Sequence, residues 1–410
     1  MCDSKIGNPR DIIFVTFGCM IMFPYLLCYD INIRISFLMA PRYPCVNEIK
    51  NTKLIRHIPR EIIFAETAIT RKNDYGDAQL RKNGYWSYKE NYPDQKLILP
   101  SYFDIFNCTM YLLQNVYINC GSAVITEKYF IIADPDNFFV DTKQPGAGKV
   151  LATYDQAIAV GRDSDRYGHW ILDYMGPLLL LPQDVILTHK ILNIPDIPIA
   201  HEMLDFLGVP KENRIMRLKK GELIHCSTVY YPYPLVNAQY IGYPVQLIRD
   251  FVHKYLDLSN IKQTKYCFYQ RQATRKILNF DEMVNAVKQN FPEYEWECLQ
   301  DRQSLTECGK IWAAIKLLIS GNGSHLFRCV TLNKGCVVVE ILGAYNDLSC
   351  MGALYSCGAH VISIKNPSIS YPMWWGGKNY NAEINKIVKT VQYLKPYLDG
   401  KEFPKESLRF

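Results

Sequence analysis

The apolar positions change period along the chain, and each change predicts a different kind of element. Ile12 to Tyr29 read IIFVTFGCMIMFPYLLCY, 18 residues without a charge, just long enough as a helix to cross a hydrocarbon core. Lys5 and Arg10 precede the run and no small-residue cleavage site follows it. The pattern therefore predicts a cytosolic tail over 1–11 and an uncleaved transmembrane signal anchor over 12–29; a cleaved leader and a buried helix are the competing readings. Residues 30–100, with PRYP and NYPDQ, read as an irregular stem leading into the first domain.

Over 101–258 the pattern is mixed. YINCGSAVIT and YFIIAD suggest strands, DPDNFFVDTKQPGAGK a turn-rich loop, RYGHWILDYMGPLLLLP a buried helix, DVILTH a strand and HEMLDFLGV a short helix. From Lys265 the alternation becomes regular. KYCFYQ, YEWECLQ, KLLISG, CVVVEIL and HVISIK read as strands, separated by FDEMVNAVKQNF, LTECGKIWAAI, SHLFRCVTLN and DLSCMGALYSCGA as helices. Strands alternating with helices in this way predict a doubly wound parallel sheet over 259–370, whose ligands bind at the carboxyl ends of its strands. Within 371–410, EINKIVKTVQYLKPYL has helical periodicity and is expected to return across the domain junction.

Composition narrows the class. A chain of 410 residues with 49% hydrophobic and 21% charged residues has room for two or three cored domains. A formal charge of +6 is too small an excess over this length to imply nucleic acid by itself. Fourteen cysteines suit an oxidising lumen, and the 11 from Cys45 onward lie beyond the anchor. Cys329 and Cys336, and again Cys350 and Cys357, are too far apart for zinc pairs, so buried thiols or disulfides are expected and no metal site. Asn107 and Asn322 each begin a glycosylation sequon.

Two segments carry candidate chemistry. YQRQATRKILN places Arg271 and Arg275 just past the first strand of the parallel sheet, where two guanidiniums suit a diphosphate; a solvated basic turn is the plainer reading. LLISGNGSHLF ends the third strand with Gly321 and Gly323 before a helix start, a place that attracts phosphate. Neither GxGxxG nor a Walker sequence is present at these junctions, so dinucleotide-dehydrogenase and P-loop readings lack their fingerprints.

Taken in order, these segments resemble glycosyltransferase family 61, which includes N-glycan core xylosyltransferases and O-linked N-acetylglucosamine transferases of the secretory pathway. The resemblance rests on His169, Trp170, Ile171, Leu172 and Asp173 followed by Pro177 and Leu178 to Leu181; on Arg271, Arg275, Ile277, Leu278 and Asn279; on the loop Gly321, Asn322, Gly323, Ser324, His325, Leu326; and on the strand from Val337 to Glu340. It implies an α/β, GT-B-like protein: two Rossmann-like domains facing a cleft, an acceptor-side domain over 101–258 and a nucleotide-sugar domain over 259–370.

The resemblance further implies an inverting, metal-independent hexosyl- or pentosyltransferase in the Golgi or endoplasmic reticulum membrane, single-pass with a lumenal catalytic domain. A UDP-sugar would be the co-substrate, a glycan or glycoprotein the acceptor, and no separate cofactor or nucleic acid is expected. Donor binding would fall to Arg271, Arg275, Asn322, Gly323, Ser324, His325 and Glu340, with His169 or Asp173 as base. A hydrogen-bonded helix histidine and a solvent-facing Asp173 are the plain alternatives for that last pair. The family's loop histidine is Asn322 here, which cannot carry a proton. A catalytically silent sugar- or glycoprotein-binding relative, or a membrane-tethered structural protein, therefore stays open beside the enzyme.

Overall fold

The computed structural model describes residues 46–50, 52–67, 109–131, 146–161, 166–233, 242–272, 274–300, 304–342, 348–365 and 379–404. The expected tail and anchor over 1–29, the loop from Asp134 to Gln144 and the sequon at Asn107 lie outside them. Among the described residues no helix is long and apolar enough to cross a membrane. These residues form a mixed α/β structure with two sheets.

The first sheet is mixed. Its strands are β1 (Glu48–Ile49), β2 (Lys53–Ile55), β3 (Ile63–Thr67), β4 (Thr109–Asn119), β5 (Val124–Ile125), β6 (Tyr129–Ile131), β7 (Gly148–Ile158), β8 (Lys190–Ile194), β9 (Arg214–Met216) and β10 (Glu222–Tyr233). The order runs β2-β6-β5-β4-β10-β7-β8-β9, with β1 on β7 and β3 on β4. β10, β7, β8 and β9 are mutually parallel, whereas β4 meets β10 antiparallel. Leu113, Val116, Ile118, Ile224 and Val229 from the long central strands fill its core. Residues 46–67, read from sequence as irregular, thus contribute three strands.

Between β7 and β8 the chain forms one continuous helical segment: α1 (Tyr167–His169), a π-helical stretch (Trp170–Met175) and α2 (Gly176–Leu178). All six π-helical residues are buried, as the apolar pattern requires. The expected strand DVILTH is instead α3 (Gln183–Thr188). Pro182 caps its start, Asp184 sits in its first turn, and Thr188 Oγ1 donates back to the Asp184 carbonyl at 2.6 Å. Val185 and Ile186 are buried neighbours, not alternating positions, and a run this short has no decisive period. The strand follows at β8. Next come α4 (Pro198–Phe206) and α5 (Tyr243–Leu256).

The second sheet matches its predicted elements. β11 (Lys265–Tyr269), β12 (Trp296–Cys298), β13 (Ile315–Gly321), β14 (Val337–Leu342) and β15 (His360–Lys365) are all parallel in the order β12-β11-β13-β14-β15. Helices α6 (Phe280–Asn290), α7 (Leu305–Ala313), α8 (Leu348–Ser356) and α9 (Ile384–Leu398) surround it. Asp281 and Glu282 favour the start of α6, and Met283, Val284 and Val287 bury one face. Segment SHLFRCVTLN is a 3-10 turn over Ser324–Thr331 instead of an α-helix, buried except at Ser324. α9 packs on α6, with Val391 and Leu394 in the second core. Tyr397 ties it to the Gly335 carbonyl at 2.7 Å.

The nine described cysteines, Cys120, Cys226, Cys267, Cys298, Cys308, Cys329, Cys336, Cys350 and Cys357, are thiols, eight of them buried. Burial raises Cys308 to about 11, so it stays protonated at neutral pH.

Candidate active site

In a sheet ordered 2-1-3-4-5, the first and third strands are neighbours whose connections leave toward opposite sides, opening a crevice at their carboxyl ends. Here those strands are β11 and β13. The segment after β11 carries Arg271 and Arg275, and the segment after β13 is the Gly321–Ser324 loop. Topology alone brings the two sequence-predicted segments together.

Asn322 organises the crevice. Its backbone carbonyl accepts from Arg271 Nη1 at 3.1 Å and its side-chain oxygen from Arg275 Nη1 at 3.2 Å. Its side-chain nitrogen donates to Glu340 Oε1 at 2.7 Å, while Ser363 donates to Glu340 Oε2 at 3.0 Å. Glu340 is fully buried beneath the loop, and Asn322 is 3% exposed. Burial, and then the neighbouring Arg275 charge, lower the proton affinity of Arg271. Arg275 adopts the left-handed region at φ 59°.

A Cβ on Gly323 would stand 1.3 Å from Arg271 Nη1, so a side chain there would displace the guanidinium from the Asn322 carbonyl. A Cβ on Gly321 would stand 2.8 Å from the Tyr380 hydroxyl, which donates to the Ile341 carbonyl. Ile277 and Asn279, matched to the family pattern, pin the chain before α9. Ile277 bridges to Tyr380, and Asn279 exchanges two hydrogen bonds with Ala382 at 2.7 and 3.0 Å. Leu278 is 63% exposed beside the arginines.

His325 turns away from the crevice. Its Nε2 pairs with Ser320 Oγ at 2.7 Å and its ring stacks on Tyr269 at 4.2 Å. Burial, and then Arg271, Arg328 and Arg275, hold it well below its ordinary pKa, so it is neutral. His325 therefore brings no positive charge to the loop.

From the other side comes α1. A Cβ on Gly168 would lie 2.5 Å from the Phe327 ring and 3.2 Å from Ser324 Cβ, so this glycine lets α1 sit directly on the loop's 3-10 turn. Tyr174 fixes the same helical segment to the first sheet, its ring over Gly161 and its hydroxyl donating to the Leu192 carbonyl at 2.6 Å. His169 follows Gly168 and is 19% exposed; its Nδ1 lies 2.6 Å from Asp173 Oδ2. Asp173 is 3% exposed rather than solvent-facing, and its carboxylate orients the imidazole.

Further contacts were invisible to sequence reading. Glu202 on α4 accepts from Ser304 Oγ at 2.7 Å, Leu305 N at 2.8 Å and Thr306 N at 2.9 Å, capping α7 from the first-sheet side. Arg328 lies beneath the loop between Tyr167, Tyr269 and Trp312. A cavity of about 210 Å³ opens where β12 ends against α7, lined by Leu299, Gln300, Cys308, Ile311 and Trp312 among others. Among the described residues no group of three or more His, Cys, Asp or Glu is placed to hold a metal ion. Two Asp-x-Asp spacings, Asp134 with Asp136 and Asp163 with Asp165, lie outside the described residues.

The matched region coincides with this geometry, beginning at α1 and ending in β14. Residues 167–339 match the glycosyltransferase 61 family. Of the residues above, His169, Asp173, Arg271, Arg275 and the Gly321–His325 loop all fall inside the glycosyltransferase 61 match, and Glu340 follows directly after it. The chain is also similar to the protein O-linked-mannose beta-1,4-N-acetylglucosaminyltransferase 2 of Tetraodon nigroviridis, at 30% identity over 104 residues. That similarity spans 24% of this chain and 18% of the relative.

Proposed function

We propose that this chain is a glycosyltransferase that moves a sugar from a UDP-sugar to a hydroxyl of a glycan or glycoprotein, with inversion. The observation that carries the reading is the contact of Gly168, the residue before His169, with the 3-10 turn that follows the loop held by Arg271 and Arg275. Base and anion site thus meet across one crevice, in keeping with a GT-B-like arrangement of an acceptor-side domain and a nucleotide-sugar domain. In the proposed reaction the acceptor oxygen bonds to the anomeric carbon as the bond to the diphosphate oxygen breaks. The acceptor proton passes to His169 Nε2, and the nucleoside diphosphate leaves toward Arg271, Arg275 and the Gly323–Ser324 amides. The cavity beside Trp312 offers room for the base of the nucleotide. Glu340, enclosed by Asn322 and Ser363, then serves by holding the loop.

The family resemblance also motivates metal independence and a lumenal, single-pass disposition in the Golgi or endoplasmic reticulum behind the 12–29 anchor. Asn322 in place of the family histidine, with His325 turned inward, favours one second reading, a catalytically silent relative that binds nucleotide sugar.

Incubating the full-length chain in detergent with a panel of nucleotide sugars tests both. Donor hydrolysis or transfer supports the enzyme, with activity persisting in EDTA if no metal takes part. Saturable UDP binding without turnover supports the silent relative, and no binding of any nucleotide sugar refutes both. In sealed microsomes a protease-protected C-terminus is expected, and its digestion without detergent would overturn the topology.

A further inference from the structure

Behind the donor loop lies a buried cation that the proposed reaction does not use. Arg328, in the 3-10 turn that follows Gly323, is 3% exposed. Its guanidinium carbon lies 5.0 Å from the ring centre of Tyr167, 5.8 Å from that of Trp312 and 5.9 Å from that of Tyr269. Three ring faces offset part of the hydration the cation gives up, but an apolar side chain would fill the same space without that loss. The three rings belong to three different elements. Tyr269 ends β11, Trp312 belongs to α7, and Tyr167 begins α1, which arrives from the first-sheet side.

The two residues of the turn act as a pair. Phe327 occupies the space left by the absent Cβ of Gly168, and Arg328 holds the ring of Tyr167. Residues 327 and 328 thus grip 167 and 168, and His169 comes next in the chain. We infer that Arg328 is a positioning residue: by clasping Tyr167 it fixes the start of α1 and so sets His169 relative to the donor loop. This inference rests on the transferase reading of the site. It also separates Arg328 from Arg271 and Arg275, which line the crevice, whereas Arg328 faces aromatic rings.

The test compares Arg328→Met, Tyr167→Leu and Tyr167→Phe in the full-length chain. It follows UDP affinity by calorimetry, donor kcat and KM, and hydrogen exchange over residues 167–175. Arg328→Met and Tyr167→Leu are expected to lower kcat on the order of 10-fold to 100-fold, with UDP affinity unchanged. Exchange over 167–175 should quicken while β13 and β14 keep their protection. Tyr167→Phe keeps the ring face and should restore both readouts, and the Arg328→Met, Tyr167→Leu double variant should be no worse than either single one. A fall in UDP affinity matching the fall in kcat would overturn the inference and make Arg328 part of the anion site. Unchanged exchange over 167–175 in Arg328→Met would overturn it equally. A parent chain that neither binds UDP nor turns over a donor would refute the transferase reading, while the exchange comparison still decides whether the clasp exists.

Discussion

Asn322 donates its side-chain nitrogen to Glu340 at 2.7 Å while its side-chain oxygen accepts from Arg275 at 3.2 Å, so one amide couples the loop arginine to a carboxylate buried in β14. Only a group with a donor at one end and an acceptor at the other satisfies both neighbours. Asn322→Asp turns the donor into an acceptor facing Glu340. The variant should lose about 3 kcal/mol of stability at neutral pH, the scale for leaving a buried charge opposed. Two facing carboxylates raise each other's proton affinity, so the folded variant gains a proton as pH falls and part of the loss should be recovered. Urea unfolding at pH 7.5 and pH 5 measures this; parent-like stability at both would mean the bridge contributes nothing.

The arginines make the prediction on ligand affinity. Arg271 is braced by the Thr274 carbonyl at 2.8 Å and the Asn322 carbonyl at 3.1 Å, and Arg275 by the Asn322 side chain. Replacing either with Ala should weaken UDP binding by about 1.5–3 kcal/mol, the scale of a charged hydrogen bond. Lys should recover only part, because an ammonium lacks the planar fork. Calorimetry on variants with parent-like unfolding curves decides it. Unchanged affinity in both Ala variants would remove this junction from the donor site; loss in one alone would confine the contact to that arginine.

Glu202 makes a prediction about how the two sheets are held together. Its carboxylate takes three hydrogen bonds at the start of α7, where exposed amides and the helix dipole both favour an anion. Glu202→Ala should cost about 1–3 kcal/mol in urea unfolding. Glu202→Gln, which keeps one carbonyl acceptor, should cost less. Equal losses in the two variants would show that the negative charge matters more than the acceptor count.

Much of this was legible in the sequence, and physical reasons separate what was from what was not. The second sheet could be read element by element because strands such as VVVEIL are buried on both faces and appear as unbroken apolar runs between amphipathic helices. Once that order was fixed, Arg271, Arg275 and Asn322 had to meet at the carboxyl ends of adjacent strands. The first sheet was less legible, since it mixes parallel and antiparallel pairs, and the run Val185–Leu187 suits either a short strand or a helix. Asp173 looked solvent-facing only because a helical repeat cannot show what packs on its outer side. The contacts of Glu202 with Leu305, Arg328 with Tyr167 and Asn279 with Ala382 join residues more than a hundred positions apart, and no local pattern encodes them.

Acid should weaken the fold through histidines that are buried neutral. Burial lowers His189 from its ordinary 6.5 to about 4, and burial with the nearby Arg249 charge does the same for His253. His225 and His325 shift in the same direction. Unfolding returns each imidazole to its ordinary value, so between about pH 6.5 and 4 the unfolded chain binds protons that the folded chain refuses. Their contribution is present in full above pH 6.5 and is lost as pH falls through that window, at up to about 1.4 kcal/mol per pH unit for each histidine. His189→Gln and His253→Gln remove the titration without removing a polar group. Their combined variant should therefore show a shallower decline in unfolding free energy between pH 6.5 and pH 5, where most carboxylates are still ionised, whatever its absolute stability. An identical slope in parent and variant would show that neither histidine is held neutral by the fold.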